Sequence, residues 1–290
     1  MEMREAQPVE LDEWRTVDVA DWPTYAPNVT GRRLKFWLQD PDGRQWLLKQ
    51  PLPSRPTEPA IEAFTARLAR AVGLEAPETH VATRDGVGWT LVLKFLHGDE
   101  ELAHGNQLLQ ELDEAYDPEA HAGHRLELVR ATLEAHDIAV SEFVAMLAFD
   151  AWVGNSDRHQ ENWGIVKSST RVRLAPLYDT AACLGAELQD PRLDRTLTLP
   201  TERSKYVLNC PSGFGDGTRL IRLSEVVTEL NGWPEWRSNA RDWVDRFYAA
   251  LAPARSYLES VPEVWWPRRR RDFAATMLWR RLIWLKNSLR

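Results

Sequence analysis

GNSDRHQENWGIV, running from Gly154 to Val166, sets Asp157, Arg158, His159 and Glu161 among three amides before an apolar run resumes. The residues before it are apolar at helical spacing, at Val140, Phe143, Val144, Leu147 and Ala151, and Gly154-Asn155 is a stop signal. After it, WGIV (163–166) and RVRL (171–174) flank KSST as a short hairpin, and PLYD (176–179) comes at once. The polar stretch is therefore a loop held between a buried helix and a hairpin.

Asp157 and Asn162 stand five positions apart, the interval between the base and the metal-binding amide of a protein-kinase catalytic loop. Phosphoryl transfer needs one carboxylate near the incoming hydroxyl and oxygen ligands for the magnesium ions that bridge the nucleotide's phosphates. Asp157 and Asn162 supply the first carboxylate and one ligand, and Asp179 stands where a second carboxylate is required. A structural loop in which Asn155 and Asp157 cap backbone amides as Asx turns also explains the polarity. Such a loop, however, has no reason to be followed by a carboxylate at the end of the next strand. His159 reads as a group that orients Asp157 or the loop backbone, ahead of one that transfers a proton. Arg158 reads as a cation for a phosphate or for a pair within the loop.

Upstream, KFWL (35–38) and QWLLK (45–49) are β-prone runs around a turn containing Asp40, Pro41, Asp42 and Gly43, and predict a hairpin. Beyond the proline-rich PLPSRPTEP, the spacing of Ile61, Phe64, Leu68 and Val72 predicts a helix over 60–72 that stops at Gly73. HVAT, the turn RDGVG and WTLVLKFL (89–96) make a second hairpin. A nucleotide kinase needs a cation on the phosphates, usually a strand lysine held by a glutamate on the adjacent helix. Lys49 ends its strand, and Glu62 lies in the first turn of the next helix, although each taken alone reads as a solvated surface charge. TGRRLK (30–35) offers Thr30, Gly31 and Lys35 for phosphate contact just before the first strand.

The rest of the chain bounds the answer. The 290 residues, 43% hydrophobic and 27% charged, suit one large domain or two lobes and exclude disorder and coiled coil. A net charge of -7 argues against general nucleic-acid binding, which needs a positive surface. The acidic start MEMREAQPVELDEW has no apolar signal core and no long apolar run comes after it, so the expectation is a cytoplasmic chain without a membrane span. Cys183 and Cys210 form neither a disulfide framework nor a thiolate metal site. The fourteen tryptophans are expected to fill the core and the lobe interfaces. Residues 98–137 read as a polar connection followed by a helix, and 236–258 and 271–289 as helices. His121 and His124 form HxxH without a third ligand, GFGDG (213–217) reads as a flexible surface turn, and PRRRRD (267–272) reads as a solvated helix start, with an acidic or phosphorylated partner as the alternative.

TGRRLK, WLLKQP, IEAF, GNSDRHQENWGI and LAPLYD, in that order over residues 28–180, resemble the HipA-like serine/threonine kinases. DRHQEN is also similar to the DRHxxN loop of phosphatidylinositol kinases. The resemblance implies an α+β, bilobal, protein-kinase-like fold, with a small N-terminal antiparallel-sheet lobe with one main helix (1–97) and a larger, mainly helical C-terminal lobe (98–290). It implies ATP and Mg2+ as cofactors, Asp157 as base, Asn162 and Asp179 as metal ligands, Lys49 on the phosphates, Gly31 in the nucleotide loop, and the backbone near Phe95 and Leu96 against adenine. It implies a protein substrate and an antitoxin or regulatory partner as well. Two departures stand out: Glu161 occupies the place where many HipA-like loops have lysine, and the stretch before TGRRLK is too short for the extra N-terminal subdomain of full-length HipA toxins. A lipid or small-molecule acceptor on the same fold, and a nucleotide-binding regulatory module without turnover, are the alternatives.

Overall fold

The structure is a computed structural model that describes residues 11, 13–27 and 34–289. Strands β3 (Lys35–Gln39) and β4 (Gln45–Lys49) form the predicted hairpin, with Lys35 opposite Lys49 and Gln39 opposite Gln45. One carboxylate builds its turn. Asp40 accepts from the backbone N–H groups of Asp42 (3.0 Å) and Arg44 (2.8 Å), from the Arg44 guanidinium (2.7 Å) and from the Trp46 indole (2.9 Å). Strands β5 (Thr79–Arg84) and β6 (Val87–Leu93) are joined by Asp85 and Gly86, both at positive φ (54° and 75°), a two-residue turn whose twist suits a hairpin.

Two strands that patterning missed, β1 (Thr16–Asp18) and β2 (Thr24–Pro27), complete a six-stranded sheet in the order β1-β5-β6-β4-β3-β2. β1 runs parallel to β5, so the sheet is mixed where a purely antiparallel one was expected. Segments this short have too few positions for an alternation to show. Helix α1 (Glu58–Ala71) packs on β5 and β6, and its first nine residues are all buried. Its far side meets the second lobe, where Phe64 lies 6.0 Å from Tyr257 and 5.7 Å from Trp266 between ring centroids.

The second lobe is mainly helical. The stretch expected to be a polar connection and then a helix holds β7 (Glu101–His104) and α2 (Gly105–Leu112) before the expected helix, α3 (Leu126–Ala135). β7 is polar because it is the edge of a three-stranded sheet with β8 (Gly164–Lys167) and β9 (Val172–Leu174). Helix α4 (Val140–Val153) is buried on all sides, twelve of its fourteen residues being out of contact with solvent. Helices α8 (Pro234–Ser260) and α9 (Arg268–Ser288) clamp it. Trp152 stacks on Phe247 at 4.4 Å and donates its indole N–H to the Leu278 carbonyl at 3.1 Å. Removing such a buried ring costs about 3–5 kcal/mol, so the loop leaving α4 starts from a fixed point. Between these, α5 (Asp190–Thr198), α6 (Pro200–Leu208), the pair β10 (Pro211–Gly215) and β11 (Leu220–Arg222), and α7 (Leu223–Leu230) complete the lobe. Trp152, Trp163, Trp236 and Trp266 fill the core as expected, whereas Trp279 is 46% exposed. Among the described residues no helix is long and apolar enough to cross a membrane, and both cysteines are buried thiols.

Candidate active site

Helix α4 ends as its sequence predicts. Gly154 takes the left-handed conformation (φ 72°, ψ 46°) and its N–H closes on the Asp150 carbonyl at 2.8 Å. The Asp150 side chain is the pivot of the loop that follows, the candidate catalytic loop. It accepts from Arg158 Nε (2.7 Å) and Nη2 (3.0 Å) and from Asn155 Nδ2 (2.9 Å), and both Asp150 and Arg158 are 0% exposed. Arg158 Nη1 donates in turn to the Asn162 carbonyl and to the Tyr178 carbonyl (3.2 Å). Of the two readings of Arg158, the internal pair is therefore the correct one. Four of its five N–H donors are spent on the loop and on the segment leading to Asp179, and at 0% exposure no face remains for a phosphate. Burying this pair without such saturation would be unfavourable, because both charges lose their water.

With its interior fixed, the loop presents its other side chains outward. The Asp157 N–H donates to Asn155 Oδ1 at 3.1 Å, the Asx turn that the residue types suggested. The Asp157 side chain is 55% exposed, with His159 Nε2 3.8 Å from Oδ1. Desolvation against the loop raises the Asp157 pKa, His159 opposes this, and the Asp179 charge adds to it. Asn162 Nδ2 donates to the Asp157 carbonyl at 2.6 Å, which leaves the amide oxygen as a hard ligand. Gly213 explains a further position. It sits at φ 78°, and a Cβ there would lie 2.6 Å from the Arg158 carbonyl carbon and 2.7 Å from His159 N. Of the GFGDG stretch, expected to be a surface turn, Gly213 to Gly215 are strand pressed against this loop, while Asp216 and Gly217 form an exposed turn.

His124 holds that strand. Trp163 Nε1 can only donate, and it does so to His124 Nε2 (3.0 Å), so Nδ1 carries the proton and donates to the Gly213 carbonyl (2.9 Å). Burial lowers its pKa to about 4. The HxxH pair is structural, and no group of three His, Cys, Asp or Glu suited to a metal occurs among the described residues.

The second constellation joins the lobes. Lys49 Nζ lies 2.5 Å from Glu62 Oε1 and 3.2 Å from Asp179 Oδ1, bringing together residues 130 positions apart. Burial disfavours the ammonium, but the Asp179 and Glu62 carboxylates outweigh it and hold the Lys49 pKa above the ordinary lysine value. Asp179 adopts φ 53°, a conformation uncommon outside glycine and costly without surrounding support. Support comes from the next residue, where Thr180 Oγ1 and Thr65 Oγ1 of α1 share a buried hydrogen bond at 2.6 Å. Asp179 and the Asn162 amide are hard oxygen donors of the kind Mg2+ takes, with phosphates and water completing its shell.

The remaining expectations divide. Phe95 stacks on Tyr178 at 5.8 Å, and its carbonyl accepts from Arg173 at 3.4 Å, so this carbonyl is already engaged. The Tyr178 hydroxyl donates to the Glu161 carbonyl at 3.0 Å, tying the segment of Phe95 and Leu96 to the catalytic loop. Lys35, opposite Lys49 in the sheet, has no partner among the described residues. Thr30 and Gly31 lie outside the described residues. Sequence reasoning missed Asp150, Tyr178 and Gly213. Only Asp150 left a trace, as the one charge in the apolar run from Phe143 to Val153.

Over 93 residues, 31% of this chain, the sequence is 28% identical to the serine/threonine-protein kinase CtkA of Helicobacter pylori, and over 151 residues, 47% of the chain, it is 26% identical to the putative kinase Y4dM of Sinorhizobium fredii. These matches span 29% and 37% of the relatives' own lengths. The crystal structure of H. pylori CtkA, a proinflammatory kinase, superposes with a TM-score of 0.78 at 21% identity, covering 95% of this chain and 97% of that one. Shewanella oneidensis HipA, solved with HipB and operator DNA, superposes at 0.56 with 11% identity, covering 92% of this chain and 68% of that one. The architecture is the bilobal kinase-like fold. The HipA-like C-terminal domain matches residues 28–244, and the chain belongs to that family.

Proposed function

We propose that this protein is a HipA-like kinase that transfers the γ-phosphate of ATP to a serine or threonine hydroxyl of a protein substrate. The observation that carries the reading is Lys49 held between Glu62 and Asp179 at 2.5 and 3.2 Å, above a loop that offers Asp157 and the Asn162 oxygen. Residues 1–97 form the lobe that binds the nucleotide phosphates, and 98–290 the lobe with the catalytic loop. Lys49, kept charged and aimed by Glu62, contacts the phosphates. Thr30, Gly31 and Lys35 are assigned to phosphate contact, and Lys35 opposite Lys49 gives an anion two cations on adjacent strands. The backbone at Phe95 and Leu96 faces adenine.

Asn162 and Asp179 hold Mg2+. When bound, the metal neutralises charge on the phosphate oxygens. Asp157 orients the acceptor hydroxyl and takes its proton, and His159 keeps the Asp157 carboxylate ionised and in place. Catalysis is then largely positioning and charge stabilisation. An ATP-consuming enzyme with two unbridged cysteines fits the cytoplasm. A regulatory or antitoxin partner belongs to the same reading, by likeness to the HipA solved with HipB.

The test is transfer of label from γ-labelled ATP to a protein pool by the wild type and by Asp157→Asn and Asp179→Asn. Label is expected on serine and threonine with the wild type alone. Equal transfer by all three would end the assignment, and label confined to a lipid or metabolite fraction would replace the acceptor.

A further inference from the structure

The four arginines of PRRRRD are not part of the active site. Three of them already hold carboxylates: Arg269 that of Asp194, Arg270 that of Asp190 at 2.7 Å, and Arg271 that of Glu263 at 2.9 Å. The Arg268 guanidinium lies near Glu263, forms no hydrogen bond or ion pair among the described residues, and lines a groove between α8 and α9. The groove has a volume of about 960 Å³ and is lined by five arginines, from Arg203 on α6 to Arg280 on α9, against two carboxylates, Glu259 and Asp272. In a chain of net charge -7 this is a concentration of the opposite sign. Two of the arginines, Arg203 and Arg271, each keep a buried Nε–H with no partner among the described residues. Both nitrogens are sealed beneath the surface, so the donors the groove presents outward are the exposed guanidiniums of Arg268 and Arg280.

The same walls are partly apolar. Leu251 contributes to the lining above the core residues Leu258 and Leu278, and Tyr248 and Trp279 stand 63% and 46% exposed beside it. Glu259 and Asp272 would repel a continuous phosphate backbone, and the apolar side chains would be wasted on one. Alternating apolar and basic positions instead suit a helix with one acidic and one apolar edge. On the α8 side the lining runs from Tyr248 to Glu259, which at 1.5 Å per residue is about 16 Å, or roughly eleven helical residues.

We propose that the groove between α8 and α9 docks an acidic amphipathic helix of a partner protein. Its carboxylates meet Arg268 and Arg280, and its apolar edge lies against Trp279, Tyr248 and Leu251. This reading is independent of phosphoryl transfer.

The test uses the full chain and a fluorescein-labelled peptide of about eleven residues, long enough to fill the groove, with Glu on one edge and Leu and Phe on the other. A second peptide carries Lys in place of each Glu, and a short DNA duplex serves as the third ligand. Fluorescence anisotropy should show saturable, salt-sensitive binding of the acidic peptide alone. The double variant Arg268→Glu/Arg280→Glu, with both changes on exposed positions, should weaken it by about tenfold or more while melting and ATP binding stay as in the wild type. Trp279→Ala should weaken it independently. Absence of binding, equal binding of the acidic and lysine peptides, or equal affinity for the double variant would each overturn the proposal. Binding of DNA that the double variant loses would do so in favour of a nucleic-acid site.

Discussion

Replacing Asp150 by alanine isolates the interaction that holds the catalytic loop from within. The change removes the acceptor of Arg158 Nε, Arg158 Nη2 and Asn155 Nδ2 at once, and leaves a guanidinium at 0% exposure without a counter-charge. Breaking a buried pair from one side costs about 3–5 kcal/mol, a large part of the roughly 5–15 kcal/mol that keeps a domain folded. Removing both charges together, as Asp150→Leu/Arg158→Met, should restore most of that loss, because the burial penalty leaves with the pair. It should not restore phosphoryl transfer, since Arg158 also fixes the carbonyls of Asn162 and Tyr178. Urea unfolding of the wild type, both single variants and the double gives the coupling directly. A loss below about 1 kcal/mol for Asp150→Ala, or a double variant less stable than the single, would refute the claim that this pair is desolvated and saturated.

The same geometry makes three other perturbations informative. His159→Gln removes a charge that lowers the Asp157 pKa; because activity falls as Asp157 protonates, the acid limb of kcat/KM should move to higher pH, and a limb that stays or moves down contradicts the role given to His159. His124 titrates at about 4 in the folded chain against 6.5 for the free side chain, so only the unfolded chain gains this proton between those values. Stability should thus fall by about 3 kcal/mol as pH drops through that window, at about 1.36 kcal/mol per pH unit, and the slope should flatten in His124→Gln. Gly213→Ala, whose Cβ would meet the Arg158 backbone at 2.6 Å, should lower kcat far more than it changes the KM for ATP; Gly86→Ala, at φ 75° with nothing within 4 Å, carries similar backbone strain and should leave kcat unchanged.

The catalytic loop was legible because its parts are local. Asp157, Asn162 and the hairpin leading to Asp179 lie within 23 residues, and helix, stop and hairpin each write their own pattern. The strand lysine and helix glutamate were legible as an order of elements, although neither residue differs by itself from a surface charge. Short strands left no trace, and β7 looked like a linker because edge strands are polar. GFGDG gave a signal that held only for its second half, where Asp216 and Gly217 turn at the surface. Glycines suggest a flexible turn, but at Gly213 the missing Cβ lets β10 approach the catalytic loop.

What the chain's own pattern determined is the longer helices, the hairpins and the polar loop between them, since periodicity and turn signals act over a few turns of backbone. Packing decided the rest. Whether Lys49 meets Glu62 or Asp179 or both, whether Arg158 turns toward a phosphate or toward Asp150, and whether His124 binds a metal or rivets a strand are questions about which groups lose water together. They bring together residues up to 130 positions apart, and local sequence carries no record of that distance.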